Sequence, residues 1–539
     1  MFSETQKQFS RAVQRSLLGG SPKAHSFQMN RFMRQTKFLF LSLLCLSVPL
    51  AAIAQWGEYD DFSYITNGST LAIIDYDGPY NIVTIPSSIV GVPVTQVVSI
   101  GSSDVTYVTV PSTITAIGSQ AFDQAASLLA IEVDPGNPSY TSLGGVLFDK
   151  SEGNLLQYPC GLSGTYTIPG SVTNIADYAF SGCSTLYGVA NNTALVTIGI
   201  NAFADCVQLA SFALPATMRS IGDSAFFGSG LTSVSVPAGV TNIGGGAFGS
   251  TAITSITVDP SSPYFSSVGG VLFDKAGTTL LEYPAGNGVK SYAISNRVTA
   301  IGYDAFYACS GLTNVTIPDS VTNIADYAIY DCTRLINITI PGSMANIGAS
   351  AFSWCLGLTQ LTLEPGVASI TGYAFSGCPS LTAVTIPGSV SYIGYQAFAF
   401  DSALSYVCFQ STPPAFCSPD TFDSDASLTV INYVAGTPGW GTNFANVPTS
   451  PCSECARLAP ARPVIGSSSA SGRNLHLICH DGVGGGTYYV LMATNIDIPM
   501  EKWMPVATNI LSSSGDFTII VSNTIAPNIS PRFYVLQTK

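Results

Sequence analysis

The feature that most limits what this chain can fold into is a repeated sentence. Leu312–Cys332 reads LTNVTIPDSVTNIADYAIYDC, and nearly the same words return at Leu335, Leu358 and Leu381. An Ala-Phe pair (Ala-Ile once) marks each return. It falls at Ala121, Ala179, Ala202, Ala225, Ala247, Ala305, Ala328, Ala351, Ala374 and Ala397, in steps of 22 or 23 residues broken by two steps of 58. A fixed period of this size specifies a solenoid, in which a unit buries its apolar face only by stacking on its neighbours. Such an array lets 539 residues share one long core instead of one oversized globule.

Within a unit, V-T-I alternates with period two and predicts a short strand with Val and Ile inward and Thr outward. The following Pro (Pro169, Pro215, Pro237, Pro318, Pro341, Pro387) has no N–H for a ladder and ends the strand. A second apolar pair such as Val321 and Ile324 comes next. The Gly often found after it (Gly222, Gly244, Gly302, Gly348, Gly394) suggests a turn needing a permissive backbone. Ala-Phe then buries one small and one large side chain. Each 58-residue step adds a second motif. Val146-Leu147-Phe148-Asp149-Lys150 with Leu155-Leu156-Gln157-Tyr158-Pro159 is copied as Val271–Lys275 with Leu280–Pro284, and each copy reads as a hairpin worked into the stack.

Four parts follow. Residues 1–54 read as a signal peptide on a start that looks over-long. Arg31, Arg34 and Lys37 form a basic region, Phe38–Leu50 an apolar one, and Ala52-Ile53-Ala54 a cleavage signal. Residues 55–449 form the solenoid. Phe62–Ile65 and Thr70–Tyr76 are expected to close its N-terminal end, and Tyr406–Phe409, Leu428–Tyr433 and Gly436–Trp440 its C-terminal end. The Pro-bearing stretch 450–463 reads as a linker. Residues 464–539 read as a small β-sandwich-like module with strands at Asn474–Cys479, Thr487–Ala493, Trp503–Val506, Asp516–Val521 and Arg532–Leu536. Past the N-terminus no apolar run approaches the ~20 residues of a membrane-spanning helix. Without residues 1–54 the chain holds 12 Lys+Arg against 31 Asp+Glu. That balance repels phosphate backbones and anionic lipid, so neither nucleic acid nor a membrane surface is expected as a partner.

The consensus L-x-x-V-x-I-P-x-S-V-x-x-I-G-x-x-A-F-x-x-C resembles the BspA-like leucine-rich repeats (LRR_5 type) of bacterial surface proteins, over roughly residues 62–449. The resemblance implies a mainly β, curved leucine-rich-repeat solenoid with a parallel sheet on its concave side. It also implies a secreted or surface-exposed protein that binds other molecules, in adhesion to matrix proteins or other cells. It supplies no catalytic residues.

Six cysteines occupy one slot, three residues after the Phe or Ile: Cys183, Cys206, Cys309, Cys332, Cys355 and Cys378. Stacked at about 4.8 Å they would make a column. A metal or redox ladder is one reading. A small buried side chain is the reading preferred, because Ser229, Thr251 and Asp401 fill the same slot elsewhere. Cys408 with Cys417, and Cys452 with Cys455, are the candidate disulfides. His476 and His480 lie in an alternating stretch that reads as a strand, where they would stand ~13 Å apart, too far to share an ion. No nucleophile elbow, P-loop or zinc spacing is present in the array, and no cofactor is expected. Asp177, Asp223, Asp304 and Asp326 read as turn caps. Tyr178, Tyr327 and Tyr373 recur just before the Ala of the pair.

The outward strand positions hold Ser235, Thr257, Thr316, Thr339, Thr362 and Thr385, flanked by Ser233, Ser255, Asn314, Asn337 and Gln360. This predicts a flat, uncharged, hydroxyl-rich wall about 60 Å long over roughly thirteen coils. It is equally what good strand formers facing water would produce. The expectation is a non-catalytic, secreted recognition or adhesion protein that binds an extracellular protein or glycan. Its rivals are a polysaccharide-processing or substrate-capturing accessory protein and a purely structural envelope protein.

Overall fold

The structure, a computed structural model, describes residues 56–190, 193–453 and 455, and six strands between Val464 and Thr538. The expected leader, residues 1–54, lies outside the described residues. No α-helix occurs among the described residues, and no helix is long and apolar enough to cross a membrane.

Each coil has three sides. The first is the V-T-I strand. Asn337–Ile340 pairs in parallel with Gln360–Leu363, so that Ile338 meets Leu361 and Thr339 meets Thr362. The second side was not foreseen as a strand. A two-residue Asn-Ile or Ser-Ile segment pairs in parallel with its counterpart in the next coil. Asn174 runs into Thr197, Ser220 and Asn242 in the first half, and Asn323 into Asn346, Ser369, Tyr392 and Phe416 in the second. The resemblance implied one parallel sheet; each coil contributes to two. The recurring N-I pair carried that signal, but two residues are too few for an alternation to be read.

The third side holds Ala-Phe. Here alternate N–H groups reach the carbonyls of the next coil: Phe306 to Ala328 at 2.7 Å, Ala308 to Tyr330 at 2.9 Å, Ile329 to Ala351 at 2.8 Å and Phe352 to Ala374 at 2.8 Å. The backbone turns left-handed twice per coil to do so. One position precedes the Ala, as at Tyr178 (φ 63°), Tyr327 (57°), Ser350 (55°) and Tyr373 (59°). The other precedes the Cys slot, as at Asp205 (58°), Asp331 (55°) and Trp354 (61°). Positive φ costs a side-chain-bearing residue on the order of 1 kcal/mol or more, and the inter-coil bonds it enables offset that cost. The glycines expected at a permissive turn serve another purpose. Gly222 and Gly348 have ordinary φ, but a Cβ on either would lie 2.4–2.6 Å from the backbone of the preceding coil. Close coil-to-coil approach, not backbone freedom, excludes a side chain there.

The core is a stack of rings. Tyr158, Phe180, Phe203, Phe226 and Phe248 follow one another at 4.6–5.8 Å with nearly parallel planes. Phe352, Phe375, Phe398 and Phe422 repeat this at 5.2–5.8 Å. Ala beside each Phe leaves the ring its room, and these Ala and Phe side chains are buried.

The two inserts are three-stranded meanders, one strand more than the hairpin read from sequence. Tyr140–Leu143, Val146–Asp149 and Asn154–Gln157 pair antiparallel, and the last of them pairs in parallel with Asn174–Ile175. Phe265–Val268, Val271–Asp274 and Thr279–Glu282 repeat the pattern. Each meander opens a new run of the second sheet.

At the N-terminal end Trp56–Tyr59, Phe62–Asn67 and Thr70–Tyr76 form an antiparallel meander joined in parallel to Val92–Val97. At the other end Trp440 stacks on Tyr433 at 4.9 Å and its Nε1 donates to the Ser411 carbonyl at 3.1 Å. The strand Val447–Cys452 pairs in parallel with Ile431–Val434. The stretch expected as a linker from residue 450 therefore begins as part of the cap. Beyond it lie two three-stranded antiparallel sheets: Val464–Ser471, Asn474–Gly482 and Gly515–Val521, and Met504–Ile510, Thr487–Ala493 and Phe533–Thr538. His476 and His480 share the strand Asn474–Gly482.

The disulfides correct the sequence pairing. Cys408 is bonded to Cys455, not Cys417, and Cys417 and Cys452 are free. Cys408 belongs to the first sheet and Cys417 to the second, on different sides of the coil. The cap instead brings Cys455 over the outward face of Tyr406–Phe409, where Tyr406 Oη lies 3.6 Å from Cys455 Sγ. The second bond, Cys160–Cys183, has a Cα–Cα distance of 4.4 Å and ties the first insert to the next coil. It takes Cys183 out of the set of free thiols.

Two outcomes follow from this packing. Phe375 sits between Phe352 and Phe398 with no exposure, so Phe375→Ala should cost about 3–5 kcal/mol in chemical denaturation. In the second insert Ala285 stands where Cys160 stands in the first, and Cys309 stands where Cys183 does. Ala285→Cys should close a matching bond to Cys309, visible by peptide mass mapping without reductant, and stabilise the second half by about 2–4 kcal/mol.

Candidate functional site

The outward residues of the first sheet are held in register by the coil stacking. Ser235 is opposite Thr257, Asn314 opposite Asn337, Asn337 opposite Gln360, Thr339 opposite Thr362, and Ala293 opposite Thr316. Ser235, Thr257, Thr316, Asn337 and Gln360 are exposed; Asn314, Thr339, Thr362 and Thr385 are half-buried against their neighbours. Part of this polarity is spent within the face. Thr257 Oγ1 donates to the Val234 carbonyl at 3.2 Å and Asn314 Nδ2 to Ser291 Oγ at 3.1 Å. The hydroxyl row stops at Cys408, which pairs opposite Thr385 and is covered by the Cys455 segment. No Asp, Glu, Lys or Arg occupies these positions between Ser233 and Thr385, so the face offers hydroxyl and amide groups without charge.

The cysteine column points the other way. Cys206, Cys332, Cys355 and Cys378 donate Sγ–H to the carbonyls of Phe180, Phe306, Ile329 and Phe352 at 3.1–3.3 Å, and Cys309 to that of Tyr283 at 3.7 Å. Burial pushes the Cys206 and Cys332 thiols up to about 12 and raises Cys309, Cys355 and Cys378 well above the ordinary value. A thiol that keeps its proton and spends it on a carbonyl is neither nucleophile nor metal ligand. Among the described residues no group of three or more His, Cys, Asp or Glu could hold a metal ion.

Three of the aspartates cap the following coil rather than their own turn. Asp177 accepts from Ile200 N–H at 2.7 Å, Asp223 from Gly245 N–H at 3.0 Å and Asp326 from Ala349 N–H at 2.7 Å. Asp304 is displaced by one position into the left-handed slot. It is buried close to Glu282 and Asp223, and desolvation, with the nearby Asp223, raises its carboxyl to about 7.

Asp401 and Asp425 occupy two successive positions of the cysteine slot. Asp401 Oδ1 accepts from Cys378 N–H at 2.6 Å, and Asp425 Oδ1 accepts from Asp401 N–H at 2.8 Å. The second oxygen of each is buried without a hydrogen-bond partner. Desolvation first, and the neighbouring carboxyl second, raise Asp401 well above the usual range; desolvation lifts Asp425 to about 8. The slot substitution at Asp401 was visible in the sequence, but its burial was not.

Six copies of the BspA type leucine rich repeat region match residues 99–163, 153–269 and 285–405, more than half of the chain. The protein belongs to the BspA-type leucine-rich repeat family. Solved structures similar to this BspA-type chain include a leucine rich cell surface protein from Faecalibacterium prausnitzii, at 23% identity over 72% of this chain and 96% of that one, with a TM-score of 0.40. A leucine-rich repeat protein from Eubacterium ventriosum is 20% identical over 77% and 99%, with a TM-score of 0.45. The pneumococcal vaccine antigen PcpA is 19% identical over 71% and 88%, with a TM-score of 0.36. No curated protein matches the chain.

Since burial raises both Asp401 and Asp425, their protonated forms favour the fold. That contribution is complete below the ordinary aspartate value of about 3.9 and is lost as pH rises through about 8. The stability of the C-terminal coils should fall between pH 5 and 8.5 by on the order of 1–3 kcal/mol. Asp401→Asn with Asp425→Asn should remove most of that fall, as read by denaturant midpoints at the two pH values.

Proposed function

We propose that the protein is exported and acts as a non-catalytic recognition module, binding an extracellular protein or glycan through the uncharged outward face of its first sheet. One observation carries this reading: the outward Asn314, Asn337 and Gln360, and Thr339 with Thr362, stand opposite one another from coil to coil, as Ser235 does opposite Thr257 in a separate strand pair ahead of the second insert. A rigid, repeating row of donors and acceptors suits an extended partner, because each coil adds one small contact and the whole row adds avidity. The absence of charge along the row favours partners recognised by hydrogen bonding and shape over ionic ones.

The test is binding of residues 55–539 to immobilised extracellular matrix proteins and insoluble polysaccharides. A shortened chain should end at residue 455 rather than 449, so that the last cap strand and Cys455 are kept. Thr339→Lys with Thr362→Lys places two charges at the centre of the row on partly exposed sites. Binding should weaken at least about tenfold, while folding stability changes by no more than about 0.5 kcal/mol per site. Binding that survives this double variant, or that needs residues beyond 455, would remove the first sheet from the reading.

A further inference from the structure

The first sheet starts at an open edge. Its first strand, Ile82–Thr84, pairs in parallel with Tyr107–Val110, so that Ile82 meets Tyr107, Val83 meets Val108 and Thr84 meets Thr109. Tyr107 N–H donates to the Asn81 carbonyl and Ile85 N–H to the Thr109 carbonyl, both at 3.1 Å. In a parallel ladder alternate residues turn their N–H and C=O to the same side. Asn81, Val83 and Ile85 therefore serve Tyr107–Val110, while Ile82 and Thr84 direct theirs away from it. Among the described residues no strand lies on that side, and no backbone hydrogen bond reaches Ile82 or Thr84 from it.

Three comparable ends are closed. The N-terminal meander covers Val92–Val97 of the second sheet. At the far end of the same three-stranded segment, Ile131 N–H donates to the Gly145 carbonyl at 2.8 Å and Val133 N–H to Ser142 Oγ at 3.1 Å. The last strand of the first sheet, Val447–Cys452, is paired with Asn443–Phe444. An edge left open is ordinarily blunted by a charge, a Pro or a bulge within the strand. Ile82–Thr84 has none of these: its register is unbroken, and Pro79 and Pro86 fall outside it. Its outward face is apolar at Ile82, 62% exposed, and at Tyr107 opposite, 43% exposed.

The charge around this edge has one sign. From Trp56 to Asp149 the chain holds ten Asp and Glu and no Lys, Arg or His. Asp61, Asp77 and Asp104 are exposed near the start of the strand. Asp77 N–H donates to the Asp61 carbonyl at 3.0 Å, and Thr106, two residues after Asp104, donates its Oγ1–H to the Asn81 carbonyl at 2.9 Å. Lys150, the first cation to follow, is tied to the Pro135 carbonyl at 3.3 Å, just after the segment's third strand.

We propose that the edge at Ile82–Thr84 binds an extended, basic segment of a partner polypeptide, which adds one strand to the first sheet. Ile82 and Thr84 supply two N–H and two C=O groups to its backbone. Its β-branched or aromatic side chains pack beside Ile82 and Tyr107, and Lys or Arg at its ends face Asp61, Asp77 and Asp104. A second copy of this chain does not fit, because it would bring the same acidic end against itself. The contact lies at the end of the stack, apart from the outward hydroxyl and amide row.

Residues 55–539 are titrated, with fluorescence anisotropy as the readout, against labelled peptides KRTVTVTVK, KRTITITIK and KRTYTYTYK, acetylated and amidated. Saturable binding of at least one is expected, and replacing its Lys and Arg by Glu should abolish it. Methylating alternate backbone amides of that peptide should weaken binding at least about tenfold in one phase and much less in the other, since only one edge of an added strand pairs. Thr84→Pro removes one outward N–H at an edge position, where Pro is tolerated, and should weaken binding about tenfold. Ile82→Lys changes an exposed side chain, leaves the core untouched and should weaken binding severalfold by repelling the peptide. Thr339→Lys with Thr362→Lys should leave peptide affinity unchanged, so this edge and the outward face can fail independently. The proposal is overturned if none of the basic peptides binds, if the Glu peptides bind as well, if both methylated phases bind as the unmodified peptide does, or if Thr84→Pro and Ile82→Lys both bind as the parent chain does.

Discussion

Everything in this molecule depends on the hydrogen bond between one coil's backbone and the next. All three sides of the coil make it, including the Ala-Phe side, where no regular strand is present. That side reaches its partners only by turning left-handed twice per coil, at residues as unsuited to it as Tyr327 and Trp354. Strain of that kind persists where many bonds over-determine the backbone. The same close approach explains why Gly222 and Gly348 cannot carry a side chain and why one ring fits per level of the core.

Once coils are locked at one spacing, each slot becomes a column, and what occupies the column decides its chemistry. The slot after Ala-Phe shows this most clearly. A thiol there donates to a carbonyl of the coil before, as in Cys332 to Phe306. A carboxyl accepts instead from the preceding coil's N–H, as in Asp401 from Cys378. Both side chains are polar groups inside an apolar stack, and both are kept in the protonated form by burial. The slot tolerates exchange because the backbone offers a carbonyl and an N–H within reach of it.

The outside of the solenoid follows the same rule with the opposite consequence. Inward columns are uniform because packing demands it, whereas outward columns are free to differ from one side to the next. The first sheet carries hydroxyls and amides on its outward face, while the second ends in the exposed, stacked rings of Tyr392 and Phe416. Membership of the BspA-type leucine-rich repeat family accounts for the inward columns. The outward ones are this chain's own, and recognition is argued from them.

The sequence by itself determined the period, the strand that Val-Thr-Ile makes, the inward Ala and Phe, and the place of both inserts. Each of these repeats in the text at a fixed spacing, and burial on one face leaves a periodic trace. Only the tertiary structure decided the second sheet, whose strands are two residues long and too short to alternate. It also decided that Cys408 meets Cys455 rather than Cys417, because the pairing depends on which side of the coil a residue lies and on where the cap folds back. The burial of the Asp401 and Asp425 carboxyls was equally illegible. Such sites are assembled from segments distant in sequence that occur once, and a feature that occurs once leaves no period to read.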